Sequence, residues 1–233
     1  VGLNPFKLIP ASNWRISYDG LSRLKPFQKL FRNFSISHAY KASMSTSYTG
    51  NLGAFVDGVQ QTNIAGNLVE DRQYQTISFT ESFSPLINFD ATLKNSFLAK
   101  VEIKKDRNIN MNISNIQITE VRGNELVIGS GYRFKDVRFP ILLGGKTVKS
   151  DLNLRLDVSI RDSETIIRKV VEQAFQRTAG RRVISIKGAA DYTISRKLTM
   201  RLYYDQQITR PQLSVPFPTS NTRAGLSLRI TLN

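Results

Sequence analysis

Few residues of this chain could do chemistry, and none is spaced for catalysis. His38, in Ser37-His38-Ala39-Tyr40, is the single histidine, and there is no cysteine. A metal site needs several converging ligands, and a nucleophile needs a base and an orienting partner within hydrogen-bond reach. His38 has no second histidine and no carboxylate at ligand spacing, so it reads as an ordinary strand residue. Gly144-Gly145-Lys146 lacks the rest of the Gly-x-x-x-x-Gly-Lys phosphate loop and follows a proline-containing segment, not a buried parallel strand. Without cysteine, disulfides, thiolate metal sites and cysteine nucleophiles are excluded. No enzyme activity, metal or cofactor is expected.

Charge is the more informative property. The 233 residues hold 33 Lys and Arg against 18 Asp and Glu, a formal charge of +15. Such an excess fits an anionic partner, a solvated face or a charged interior. Arg181-Arg182 and Lys104-Lys105 could touch nucleic acid on charge alone, but both sit at expected strand ends beside acidic residues and read as solvated.

Stepping from residue types to spacing, five segments alternate with period two: Ile87 to Lys94, Phe97 to Lys104, Leu152 to Arg161, Leu198 to Asp205 and Ala224 to Asn233. Their charges are Asp90, Lys94, Lys100, Glu102, Lys104, Arg155, Asp157, Arg161, Arg201, Asp205 and Arg229, and every one falls on the polar parity. The opposite parity holds Phe89, Leu93, Leu152, Leu154, Leu156, Val158, Leu202, Leu226, Leu228 and Ile230. Successive strand residues point to opposite faces, so one face is expected to be free of charge and the other to carry it all.

Weaker strands are read at Asn13 to Tyr18, Phe34 to Tyr48, Arg107 to Ser114, Glu125 to Phe134, Thr165 to Glu172 and Val183 to Ile194, about eleven in total. The segment 20–33, with Leu24, Phe27, Leu30 and Phe31 at helical spacing and Pro26 near its start, is expected to be a short amphipathic helix. Tight turns are expected at 94–96, 162–164 and 195–197, with a short joint at Asp106-Arg107. Long outer loops are expected at 49–86, 135–150 and 209–221, with another long connection at 173–182. On that count the tight turns and the helix share one end, the periplasmic one, and the long loops the other.

No stretch approaches the roughly 20 consecutive apolar residues of a membrane-spanning helix. A soluble antiparallel sandwich also has one apolar and one polar face. Several of these runs, however, reach the length of a tilted transmembrane strand, and strands of ordinary domains average about five or six residues. A Lys or Arg facing lipid at mid-depth costs about 2–4 kcal/mol, so the charged parity must face a lumen or protein. The expected fold class is therefore all-β, a transmembrane antiparallel barrel with one short periplasmic helix. Bacterial single-chain barrels have even strand numbers, so about eleven strands over residues 1–233 read as an arc of a larger barrel. The start at Val1, without a Met or leader, reads as a processed product or a fragment.

Particular segments then point to a family. Asn13-Trp-Arg-Ile-Ser-Tyr-Asp-Gly-Leu21, Ser37-His-Ala-Tyr40, Thr119-Glu-Val-Arg-Gly-Asn-Glu-Leu126, Gly131-Tyr-Arg-Phe-Lys-Asp-Val137, Asp151-Leu-Asn-Leu-Arg-Leu156, Thr178-Ala-Gly-Arg-Arg-Val-Ile-Ser185 and Phe217-Pro-Thr-Ser-Asn-Thr222 resemble, in order, the C-terminal end of the SprA (Sov) family. That family comprises outer-membrane translocons of the type IX secretion system, which also serves gliding motility. The resemblance implies a very large barrel in the outer membrane of a Gram-negative bacterium that passes folded cargo proteins to the cell surface. It also implies partners: the remaining strands of the same barrel, a PorV-type shuttle barrel, a periplasmic plug protein, secreted cargo and outer-membrane lipid, but no nucleic acid. A terminal aromatic residue, common in such barrels, is replaced here by Leu232-Asn233. The residues alone also allow part of a porin or TonB-dependent receptor for small solutes, and a soluble basic β-protein that binds nucleic acid or polysaccharide.

Overall fold

The period-two pattern becomes one very long-stranded antiparallel sheet. The computed structural model describes residues 12–56, 58–138, 149–195, 198–213 and 217–231. Along the chain run β1 (Trp14–Tyr18), a 3-10 turn (Gly20–Arg23), α1 (Lys25–Leu30), β2 (Phe31–Gly50), β3 (Phe55–Val56), β4 (Val59–Gln60), β5 (Arg72–Leu93), β6 (Phe97–Asn112), β7 (Gln117–Arg138), β8 (Lys149–Lys169), β9 (Ala174–Ser195), β10 (Leu198–Pro211) and β11 (Thr219–Ile230). Nine of them make a single sheet in the order β1-β2-β5-β6-β7-β8-β9-β10-β11, and β3 and β4 pair with each other. Every pairing is antiparallel. β5, β7 and β9 have 22 residues each, about 70 Å of chain at about 3.3 Å per residue.

Several expected boundaries move. Phe97 to Lys104 and Arg107 to Ser114 belong to one strand, β6, apart from the last two residues, and Leu152 to Arg161 and Thr165 to Glu172 belong to β8, apart from the last three. The turns expected at Asp106-Arg107 and 162–164 do not exist. There the alternation of polarity fails, because Lys105, Arg107, Asp162 and Glu164 occupy the otherwise apolar parity, while the ladder continues unbroken. Asp106 pairs with Ser82 and Gly123, and Ser163 with Gly123 and Arg181.

The expected loop 49–86 shrinks to 51–71, because Arg72 to Leu86 is the first half of β5, its pattern masked by Glu81 and Pro85. A register shift between Phe83 and Ile87 accommodates Pro85, which has no N–H to give to a ladder. The connection expected at 173–182 is almost entirely β9, and those at 135–150 and 209–221 lose residues to β7, β8, β10 and β11. Residues 139–148 and 196–197 lie outside the described residues.

The meander also overturns the sorting of connections into a tight-turn end and a long-loop end. The link from β7 to β8, expected among the long loops, leaves the sheet at the same end as the turn after β5 and the link after β9. The short turns after β6 and β8 leave at the opposite end, together with 51–71 and the link after β10.

The helix expected over 20–33 resolves into the 3-10 turn and the six residues of α1, with Pro26 in the first turn, where its missing N–H breaks no bond. The backbone is extended again at Phe31, where β2 begins. Phe27 contacts Phe31 and Phe34 at 5.7 and 5.5 Å between ring centres, and the Lys94 N–H donates to the Leu30 carbonyl at 3.2 Å. α1 is thereby pinned beside the β5–β6 turn, at the α1 end of the sheet.

A single layer buries little. Tyr40, Phe83, Ile166 and Tyr192 are among the few buried apolar residues, whereas Leu156, Leu202, Leu226, Leu228 and Ile230 are exposed. A sheet face this apolar needs a cover, which no second layer in the described residues supplies.

Candidate functional site: a charged face and a bounded apolar face

Partners in an antiparallel register share a face, so the pairings can be followed from strand to strand. One row runs Ser35, Asp90, Lys100, Gly129, Asp157, Lys187, Asp205, Arg223 from β2 to β11. Apart from the glycine, its charged members alternate in sign, so each carboxylate has a cation on at least one neighbouring strand. Ten of the eleven charged residues singled out from sequence lie on this face, and Lys94 sits in the turn after β5. Lys187 and Arg223, missed by reading each segment separately, complete the row and become visible only through the register.

Ion pairs knit the rest of this face. Lys100 meets Glu102 at 3.0 Å, Lys104 lies 3.6 Å from Glu102 and 3.9 Å from Glu125, and Arg201 lies 3.6 Å from Asp191. Arg133 pairs with Asp151 beside the α1 end. Arg161 on β8 reaches across β7 to Asp106 on β6, with both carboxylate oxygens 2.7 and 2.9 Å from its Nη2. That reach depends on Gly123 between them: a Cβ there would stand 2.5 Å from Asp106 Oδ1 and 2.6 Å from Arg161 Nη2. At Gly129 a Cβ would likewise meet Asp157 Oδ1 at 2.5 Å. Glycine weakens a strand interior, and its presence here marks side chains passing over the backbone.

The other face has an apolar band with a sharp lower edge. Phe89, Leu93, Leu152, Leu154, Leu156, Val158, Leu202, Leu226, Leu228 and Ile230 all lie on it. Its last row is Ile103, Leu126, Ile160, Ile184, Ile208; one pleat further from the α1 end the row is Lys105, Asn124, Asp162, Arg182, Arg210. On β8 the band runs from Leu152 to Ile160, about 27–30 Å of strand, which at a tilt of about 40° is close to the roughly 25 Å apolar height of outer-membrane barrels.

Below the band lies a layer of ion pairs in which two carboxylates, Glu81 and Glu120, sit deep with guanidiniums beside them. Glu81, 2% exposed, accepts from Tyr40 Oη at 2.7 Å and from Arg107 Nε at 2.8 Å. Glu120, 4% exposed, accepts from Arg122 Nε at 2.7 Å and Arg168 Nη2 at 3.2 Å. The hydrogen bond that Arg122 donates to Glu120 raises the pKa of its guanidinium above the ordinary value. Arg182 grips Asp162 with two bonds, 2.7 and 2.9 Å. Sequence reading missed this cluster because it sought charges on one parity only.

His38 lies on the apolar face between Trp14 and Phe83, with Nδ1 2.5 Å from the Leu86 carbonyl, to which it donates. Trp14 stacks on Tyr40 at 4.6 Å. Tyr132 and Phe134 meet edge to face toward the α1 end, whereas Tyr203 lies on the charged face over Gly225. Among the described residues no three His, Asp or Glu converge as metal ligands, and no helix is long and apolar enough to cross a membrane. Comparison of the sequence with known proteins found no matching family model and no matching curated protein.

Proposed function

We propose that this chain is an arc of the wall of a large outer-membrane β-barrel that translocates folded proteins from periplasm to cell surface, as the resemblance to the SprA family implies. The observation that carries the membrane part is the bounded apolar band backed by a face of alternating charge. The band faces lipid or a partner barrel, and the charged row lines an aqueous lumen. Two further features support an arc. Among the described residues, β11 has no partner on its outer edge, and β1 covers only Ile36 to Tyr40 of β2. Open edges of that length in a membrane must be paired with further strands. The strand ends are staggered as tilt requires: from the charged row, β2 runs on from Ser35 to Gly50, but β11 only from Arg223 to Thr219.

The protein-translocating part rests on the resemblance, and the charged row is compatible with it. A lumen of paired, hydrated charges offers a passing protein few apolar surfaces on which to stick. The PorV-type shuttle, the plug and the cargo are proposed partners on the same ground, and no catalysis or cofactor is invoked.

The chain has no cysteine, so single-cysteine labelling tests the reading directly. Cysteines at Leu156 and Leu228 are expected to be quenched by lipid-borne quenchers in vesicles and to resist a charged maleimide, and cysteines at Ser159 and Ser227 are expected to do the reverse. Equal labelling of both sets by the charged reagent would refute the membrane wall. Conductance of the intact protein tests the rest: a pore no wider than a small-solute porin's would refute protein translocation while leaving the wall intact.

A further inference from the structure

The ion-pair layer below the apolar band is deeper than a phospholipid interface requires. On β8 it runs from Asp162 to Arg168, about 20 Å of strand and about 15 Å along the membrane normal at a tilt of about 40°. The headgroup region on each side of a bilayer is only about 5–8 Å thick. The layer is also stratified by charge. Glu81 and Glu120 are buried beneath Arg107, Arg122 and Arg168, and the more open Arg177 and Arg182, 58% and 47% exposed, pair with Glu164 and Asp162. Arg210, in the first row below the band, forms no ion pair among the described residues. A ligand approaching from the lipid side meets guanidinium N–H donors at several depths, held in place by the carboxylates behind them.

Planar guanidinium groups in fixed positions match phosphate oxygens. Acyl chains need an apolar surface continuous with that phosphate site, and the band supplies it. Within the band, Ser130, Gly188 and Ala190 leave a depression of about 400 Å³ walled by Leu154, Leu156 and Leu202. Gly188 is six residues along β9 from Arg182, about 20 Å, the reach of one acyl chain.

We propose that this face binds a phosphorylated glycolipid of the leaflet at the end opposite α1, its sugar phosphates on the arginine layer and an acyl chain in the Gly188 depression. A sugar headgroup accounts for the depth of the layer, which a phospholipid phosphate would leave mostly unfilled. The inference rests on the reading of the band as a lipid-facing surface.

The test uses the full-length protein in detergent, titrated with a lipid A-type bisphosphorylated glycolipid, its dephosphorylated form, phosphatidylglycerol and inorganic phosphate. Arg177→Gln and Arg210→Gln are the variants, because neither leaves a buried carboxylate without a partner. Lys187→Gln, on the charged face, is the control. The double variant is expected to bind the bisphosphorylated glycolipid at least tenfold more weakly, with the control unchanged and the dephosphorylated form and phosphatidylglycerol at least tenfold weaker on the native protein. Undiminished binding by the double variant, or phosphatidylglycerol or free phosphate binding as well as the glycolipid, overturns the proposal. If the cysteine at Leu156 is quenched by lipid in that case, the membrane wall stands and only the glycolipid site falls. If it is not quenched, the wall reading has failed first.

Discussion

Replacing Gly123 by alanine tests whether the glycines of β7 exist to let charges cross it. In a strand interior glycine is less favourable than alanine by about 0.5–1 kcal/mol, chiefly through backbone entropy, so Gly123→Ala alone would ordinarily stabilise. Here the new Cβ would stand 2.5 Å from Asp106 Oδ1 and 2.6 Å from Arg161 Nη2. Both are the ends of flexible side chains, so the backbone need not move and the cost is loss of the pair. A charge-assisted hydrogen bond is worth about 1.5–3 kcal/mol when well buried. Arg161 and Asp106 are 37% and 34% exposed, and solvent screening brings the loss to about 1 kcal/mol. Gain and loss nearly cancel, and Gly123→Ala is expected to be close to neutral.

The sharper quantity is the coupling. In an Asp106→Asn background the pair is already broken, so Gly123→Ala should recover its intrinsic gain of about 0.5–1 kcal/mol. The double-mutant cycle should therefore show a coupling of about 1 kcal/mol. Guanidinium unfolding in detergent micelles, followed by the fluorescence of Trp14, the single tryptophan of the chain, gives the four stabilities. Additivity within about 0.3 kcal/mol would mean that Arg161 and Asp106 do not meet over Gly123.

Three further outcomes follow from the two faces. Leu156→Arg should destabilise the folded barrel by about 2–4 kcal/mol, whereas Ser159→Arg on the opposite parity should change it by less than about 1 kcal/mol, read as folded protein recovered from the outer membrane. Tyr40→Phe removes the 2.7 Å bond to buried Glu81 and should cost about 1–2 kcal/mol in the same unfolding titration, with the Trp14 emission shifted through its stacked ring. Lys187→Glu places a third carboxylate between Asp157 and Asp205, so it should lower folded yield and move the reversal potential of the open channel toward cations. Adding Asp205→Lys should restore both.

The sequence revealed the faces better than the strand ends, for a physical reason. Period-two alternation reports which environment each side chain meets, and it holds only while the two environments stay different. Through Leu152 to Ile160 one face is apolar and the other wet, so the parity reads cleanly. From Asp162 onward both faces carry charge, and the signal vanishes although β8 continues to Lys169. What reads as a turn at 162–164 is thus the edge of the apolar band. The same loss of contrast hid the continuity of β6 past Lys105 and the first half of β5 around Glu81. The end to which each connection belongs depends on the strand count, so two strands read as four were enough to put the β7–β8 link at the wrong end.

Misreading the edge of the band as turns also hid how the sheet is built beyond the band. A strand that stopped at the edge of the band would leave its end carbonyls and N–H groups to water and loops. Here β5 to β9 continue beyond the band as a sheet, and with no second layer among the described residues their side chains must cover the backbone themselves. Long arginines laid over short-reaching carboxylates do this: Ile166 is 1% exposed although it lies among charged neighbours, Glu120, Glu164 and Arg168. Replacing one such pair by aliphatic residues would bury as much backbone but extend the apolar band by a pleat, and a band taller than the bilayer exposes apolar surface to water or tilts the wall. The arginine layer thus keeps the strands covered and the band at a fixed height.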